Sequence, residues 1–251
     1  MAKLKPFGYK LKVVVSGTMI QVYEYTDPQW RNLTSKAVSS SPPKELMDTD
    51  ILPLDERLKS RGKSNIRART NVMRLCSSNF MTMTSKFLTL TFKEQITDIA
   101  LANKEFKRFM RNLQRNVDEP IKYLAVIEFQ KNGSIHYHVL LDMPYIKQDR
   151  LSKMWGKGGV TIKPTLQRIT NLGLYIVKKM TIDDVDPRMI GKKSYLTSRN
   201  LTKSEEYTGK QAEFIMERLK NENRKKAYSN TYKNKLTEND INYSEYHMNA
   251  C

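Results

Sequence analysis

Cysteine, acidic residues and long apolar runs are all scarce in this chain, and each scarcity removes a class of protein. Only Cys76 and Cys251 occur in 251 residues, and they form no closely spaced metal-type pair. A disulfide-stapled secreted domain and a cysteine-rich zinc module are thereby excluded, and free thiols in a reducing cytoplasm are expected. No stretch approaches the roughly 20 apolar residues of a spanning helix. Residues 1–12 hold no apolar segment of secretory-signal length, so no membrane partner is expected. Acid is outnumbered: 26 Asp and Glu stand against 44 Lys and Arg, a formal charge of +18. Such an excess creates a positive field whose common natural target is nucleic acid. Hydrophobic residues, at 39%, suffice for a core.

What is present sorts into elements by period. Residues 10–15 and 19–25 read as strands flanking Ser16-Gly17-Thr18, a hairpin turn. Residues 35–63, with Ser39-Ser40-Ser41-Pro42-Pro43, read as an exposed connection. A basic run follows, Arg61, Lys63, Arg67, Arg69 and Arg74, which serves either as a solvated helix face or as phosphate contacts. Leu88, Leu90 and Phe92 alternate with Thr89 and Thr91, a strand. Phe106, Phe109, Met110, Leu113 and Val117 form one helical stripe, with Pro120 just beyond it. A second hairpin spans 123–141 and turns at Asn132-Gly133. A short helix over 149–155 ends at Gly156, residues 160–162 read as a strand, and residues 167–180 as a helix in which Gly173 allows close packing. Residues 203–227 read as a charged helix, and 228–251 as a tail rich in Tyr and Asn. The expected class is α+β, a mostly antiparallel sheet with helices on one face. The expected division is an N-terminal extension (1–80), a central domain (81–200) and a C-terminal tail (201–251).

Two of the three histidines make His136-Tyr137-His138. On a strand, residues two apart share a face, so two imidazoles stand side by side. The partner strand, residues 124–130, decides the third ligand through its register. A two-residue turn at Asn132-Gly133 puts Phe129 opposite His136 and Glu128 on the apolar face. A three-residue loop, Lys131-Asn132-Gly133 with Gly133 left-handed, puts Glu128 opposite His136. The second register gathers Ile127, Phe129, Tyr137, Val139 and Leu141 on one face and Glu128, Gln130, His136 and His138 on the other. It keeps the carboxylate out of the core and is therefore the one expected. The result is a His, His, Glu site on the open face of the sheet, with vacant positions for a phosphate oxygen, and Mg²⁺ or Mn²⁺ suits it best. Tyr175, with Lys178 and Lys179 at i+3 and i+4, offers a phenol with ammonium neighbours, although a chain with 13 tyrosines holds many such pairs.

Taken together, these segments resemble the HUH endonucleases. His136-Tyr137-His138, preceded by residues 128–133, is similar to their second motif, Phe87-Leu88-Thr89-Leu90-Thr91 to their first, and Tyr175-Ile176-Val177-Lys178 to their third. The order matches rolling-circle replication initiators (Rep proteins), over about residues 84–200, with those of small bacterial plasmids and phages most similar. The resemblance implies an antiparallel five-stranded sheet with the histidines on a central strand. It implies a bacterial cytoplasm, and origin DNA, single-stranded or cruciform, as partner. Carried over by residue, Tyr175 is the nucleophile that keeps a 5′ phosphate and frees a 3′-OH, His136, His138 and Glu128 are the metal ligands, and Lys178 assists. Lys179, Lys192, Lys193 and Arg199 join the run from Arg61 to Arg74 as candidate DNA contacts. The third motif has one tyrosine, so ending the cycle needs a water, a second protomer or another Tyr. Lys193-Ser194 matches only the end of a phosphate-binding Gly-x-x-x-x-Gly-Lys-Ser pattern, because Lys192 and Pro187 stand in place of its glycines. A host helicase and polymerase are therefore implied. A single-Tyr transposase, a relaxase or a non-catalytic basic binding protein are the alternative classes.

Overall fold

The computed structural model describes residues 6–31, 52–165, 173, 176–178, 180–181, 183, 185–233 and 238–248. It is α+β and divides into two compact units, one of residues 53–203 and one of residues 1–52 with 204–251. Each is built on an antiparallel five-stranded sheet.

The central unit begins with α1 (Leu54–Asn79), then β3 (Ser85–Thr91), α2 (Ile99–Gln114), β4 (Lys122–Phe129), β5 (Ile135–Asp142), α3 (Gln148–Trp155), β6 (Val160–Pro164) and β7 (Tyr195–Thr197); the first two strands of the chain precede it. The strand order is β6-β3-β5-β4-β7, so the histidine strand β5 is central. On one face, α2 and α3 cover Leu88, Leu90, Tyr137, Val139 and Leu141. Helix α2 starts where the Asp98 carboxylate accepts from the Ala100 and Leu101 amides, at 2.6 and 3.3 Å, which satisfies two of its free donors. The stripe from Phe106 to Leu113 is buried as its period predicts. Helix α3 stops at Gly156, which is left-handed with φ +59°.

Helices on one face only were expected, and the structure differs. The face that carries the histidines is apolar further along the strands, at Leu124, Val126 and Leu140. Ala68, Val72, Cys76 and Phe80, contributed by α1 and its C-cap, cover it together with Ile176, Val177 and Met180. Residues 54–63, expected in an exposed connection, are the start of α1. Most of the helix expected over 167–180 lies outside the described residues. Gly173 within it is buried, and a Cβ there would meet Met73 Sδ at 2.8 Å, so this position does require close approach.

The second unit joins both ends of the chain. β1 (Phe7–Ser16) and β2 (Met19–Arg31) pair with β8 (Glu205–Thr208), β9 (Tyr228–Lys233) and β10 (Asp240–His247) in the order β8-β1-β2-β10-β9. Helix α4 (Lys210–Asn221) packs Ala212 and Leu219 on Val13, Ile20, Val22 and Tyr246. Residues 203–227 are thus a strand and a helix rather than one helix, and part of the expected tail is two strands. Among the described residues no helix is long and apolar enough to cross a membrane.

Candidate metal centre

The hairpin β4–β5 closes through Lys131-Asn132-Gly133. The Gln130 amide donates to Ser134 O at 2.8 Å, the Gly133 amide to Gln130 O at 2.8 Å, and Gly133 has φ +81°. That is the three-residue loop, and Glu128 faces His136 across the ladder. Thr89 of β3 faces His138 from the other side.

Nε2 of His138 lies 2.5 Å and Nε2 of His136 3.2 Å from the same Glu128 oxygen, Oε2. The ligand atoms of Glu128, His136 and His138 all fall within 4.8 Å of one another, the separation a single cation can span. Two imidazole nitrogens and a carboxylate aimed at one point fit a divalent ion. The sheet fixes their rings: Phe87 stacks on His138 with centroids 5.5 Å apart, and the two histidine rings meet edge-on at 4.7 Å. The outer nitrogens are also held, His138 Nδ1 by Thr89 Oγ1 at 3.4 Å and His136 Nδ1 by the Gln130 amide at 3.2 Å. A histidine that binds metal through Nε2 carries its proton on Nδ1, and an acceptor there selects that tautomer. Thr89 Oγ1 accepts as it stands, and the Gln130 amide accepts through its oxygen after rotation.

Electrostatics favour the ligand forms. Burial pushes the Glu128 carboxyl up, but hydrogen bonds from His138 and His136 and the nearby charges of His138 and Lys178 outweigh it, so it sits below the usual carboxylate range. Burial pulls His138 below the ordinary imidazole range, against the upward pull of Glu128, so it is held neutral. The site is not on an open face: the His138 side chain is 8% exposed, under the layer of α1 and residues 176–180.

The remaining candidates are distributed as follows. Lys178 Nζ stands 4.0 Å from Glu128 Oε1. Tyr175 and Lys179 lie outside the described residues. On α1, Lys63 and Arg67 are exposed and Arg74 is half-buried, whereas Arg69 donates to Val177 O at 3.1 Å and Arg61 is buried. Lys192, Lys193 and Arg199 line a groove of about 980 Å³ beside β7, into which Lys107 and Arg111 of α2 also reach. No carboxylate is among its described lining residues. Sequence reasoning missed Thr89, Lys107 and Arg111. Thr89 was detectable as the outward residue of a strand flanking β5; the two α2 cations were hidden among the many solvent-facing charges of that helix.

Residues 85–184, which include the triad, match the family model described as replication-associated protein of the ORF2 type. The segment holding the site is thus similar to a family of replication-associated proteins, which supports a role in replication. No curated protein matches the chain. Among solved structures, the hypothetical protein ORF119 from Sulfolobus islandicus rod-shaped virus 1 is 19% identical, with TM-score 0.34, over 47% of this chain and 96% of that one. At that TM-score the likeness carries no inference.

Proposed function

We propose that the chain initiates rolling-circle replication as an HUH-type enzyme. It nicks one strand at an origin, with Tyr175 as nucleophile and Glu128, His136 and His138 holding Mg²⁺ or Mn²⁺. The observation that carries this reading is the convergence of two imidazole nitrogens on one Glu128 oxygen, with Lys178 at 4.0 Å from the other, inside the segment similar to replication-associated proteins. A divalent ion, when bound, supplies Lewis-acid polarisation of a phosphodiester oxygen. The chain's own groups do the rest. The Tyr175 oxygen bonds to phosphorus as the bond to the 3′ oxygen breaks. The strand keeps its 5′ phosphate as phosphotyrosine, and the 3′ oxygen leaves with the bonding pair and takes up a proton, becoming a 3′-OH primer. A phenol of pKa about 10 is mostly protonated at neutral pH. The Lys178 ammonium favours the phenolate, whose proton passes to solvent, and donates a proton to the departing oxygen. Lys192, Lys193 and Arg199, with Lys107 and Arg111, supply a carboxylate-free path for the strand. Host helicase and polymerase take over at the primer.

The test is covalent capture. Single-stranded oligonucleotides from the chain's own replicon, incubated with Mn²⁺, are expected to give an adduct on a denaturing gel that Tyr175→Phe abolishes. His136→Ala is expected to remove the metal dependence together with the activity. An adduct that survives Tyr175→Phe overturns the nucleophile, and unchanged metal-dependent nicking by His136→Ala overturns the site.

A further inference from the structure

A second binding feature adjoins the triad. A cavity of about 320 Å³ is lined by Glu128 and Gln130 on one side and by Arg61, Asn65, Asp186 and Arg188 among its other walls. Its size is at the lower end for a small-ligand pocket. Of the basic run on α1, Arg61 alone is buried, at 9% exposure. Its guanidinium donates to Lys192 O at 2.5 Å and to Ser194 Oγ at 2.9 Å, both neutral acceptors. Its Nε–H is buried with no acceptor. Among the described residues no carboxylate pairs with it. Asp186, which shares the cavity, is taken by Arg188, whose Nη2 and Nε reach the two Asp186 oxygens at 2.6 and 2.9 Å. Asn65 is likewise committed, donating to Thr181 O at 3.2 Å.

A buried cation without a counter-charge is costly, and its cost is relieved by an anion entering beside it. Burial alone pulls the guanidinium below its ordinary pKa, with no opposing carboxylate. Arginine keeps its charge even so, and its planar fork matches phosphate oxygens. Ser194 lines both this cavity and the basic groove along α2 and β7, so a polyanion lying in the groove reaches the cavity without a break. A strand on that course meets Lys192 and Lys193, then Arg61, then the triad.

We infer that Arg61 forms a backbone-phosphate subsite of single-stranded DNA, holding a phosphate next to the one that the Glu128, His136 and His138 site engages. This rests on the nicking reading for its geometry, but its test needs binding only. The probe is fluorescein-labelled dT20, with affinity read by anisotropy across a NaCl series on the full chain. Arg61→Gln is expected to weaken binding about tenfold or more and to make the salt dependence shallower by about 0.7 in log–log slope, the value of one single-strand phosphate contact. Ser194→Ala, which removes a strut but no charge, is expected to leave the slope unchanged. Arg61→Lys keeps the slope and loses about three- to tenfold in affinity, because the fork is gone. A folded Arg61→Gln protein with the wild-type slope overturns the inference. If Arg61→Gln does not fold, wild-type affinity in Arg61→Lys overturns it, as does failure of the wild type to bind dT20 at any salt. The two readings fail separately. The Arg61 subsite stands if its slope is lost while no phosphotyrosine adduct forms, and nicking stands if Tyr175-dependent adducts form while Arg61 is indifferent.

Discussion

Thr89 and Gln130 touch no substrate in the proposed chemistry, yet the state of both histidines depends on them. Each meets an Nδ1, and a proton parked there leaves Nε2 free as a ligand. Thr89→Val keeps the side-chain shape and removes the acceptor of His138; Gln130→Leu does the same for His136. Each is expected to weaken Mn²⁺ binding by about 10- to 100-fold, the usual effect of losing a group that orients a ligand histidine. Calorimetric titration of the chain with Mn²⁺ measures it directly. Affinity unchanged in both variants would mean that the sheet alone orients the rings. A metal-induced rise in Tm should shrink in parallel, because a ligand stabilises the folded state in proportion to its saturation.

At the scale of the element, the β4–β5 hairpin holds the triad in register, and its control point is Gly133. Its φ of +81° lies where a Cβ is strained, while the space around it is open enough for one, with Arg188 Nη1 at 3.7 Å. The cost of substitution is therefore conformational. Gly133→Ala should lower stability by about 1–2 kcal/mol and Gly133→Asn by less, since Asn enters the left-handed region more readily. Urea unfolding orders the three; an Ala variant as stable as the parent contradicts the loop geometry. This hairpin was legible in the sequence because only one register separates carboxylate and imidazoles from Ile127, Phe129 and Tyr137. Helix α1 was harder to read. Its buried positions, 61, 65, 68, 72, 76 and 79, keep a helical spacing, but three of them are Arg61, Asn65 and Asn79. These polar residues face inward to bond Lys192 O, Thr181 O and Thr202 O, partners that only the fold supplies. Hydrophobic periodicity does not register a stripe of that kind. The same limit hid β9 and β10. β9 is an edge strand exposed at every residue, and β10 buries Ser244 between Ile241 and Tyr246. Their pairing with β2, through β10, depends on contacts with the opposite end of the chain.

At the scale of the whole molecule, the net charge is not spread evenly. Of the 44 Lys and Arg and 26 Asp and Glu, 29 and 13 fall in residues 53–203, leaving 15 and 13 for the other unit. The positive field that composition announced thus belongs almost wholly to the unit that carries the triad. Two basic runs allow this to be tested at equal charge. Lys192 and Lys193 line the carboxylate-free groove, whereas Lys225 and Lys226 are exposed in the near-neutral unit, beside an Arg224 already paired with Glu222. Replacing either pair by Gln lowers the net charge by the same amount. If DNA responded only to the overall field, the two variants would bind alike. If the strand lies in the groove, Lys192→Gln with Lys193→Gln should make the salt dependence of dT20 binding shallower by about 1.4, two single-strand phosphate contacts. Lys225→Gln with Lys226→Gln should then leave the slope where it was. Equal slopes in the two double variants would refute a localised path and return the charge excess to a general, non-specific attraction.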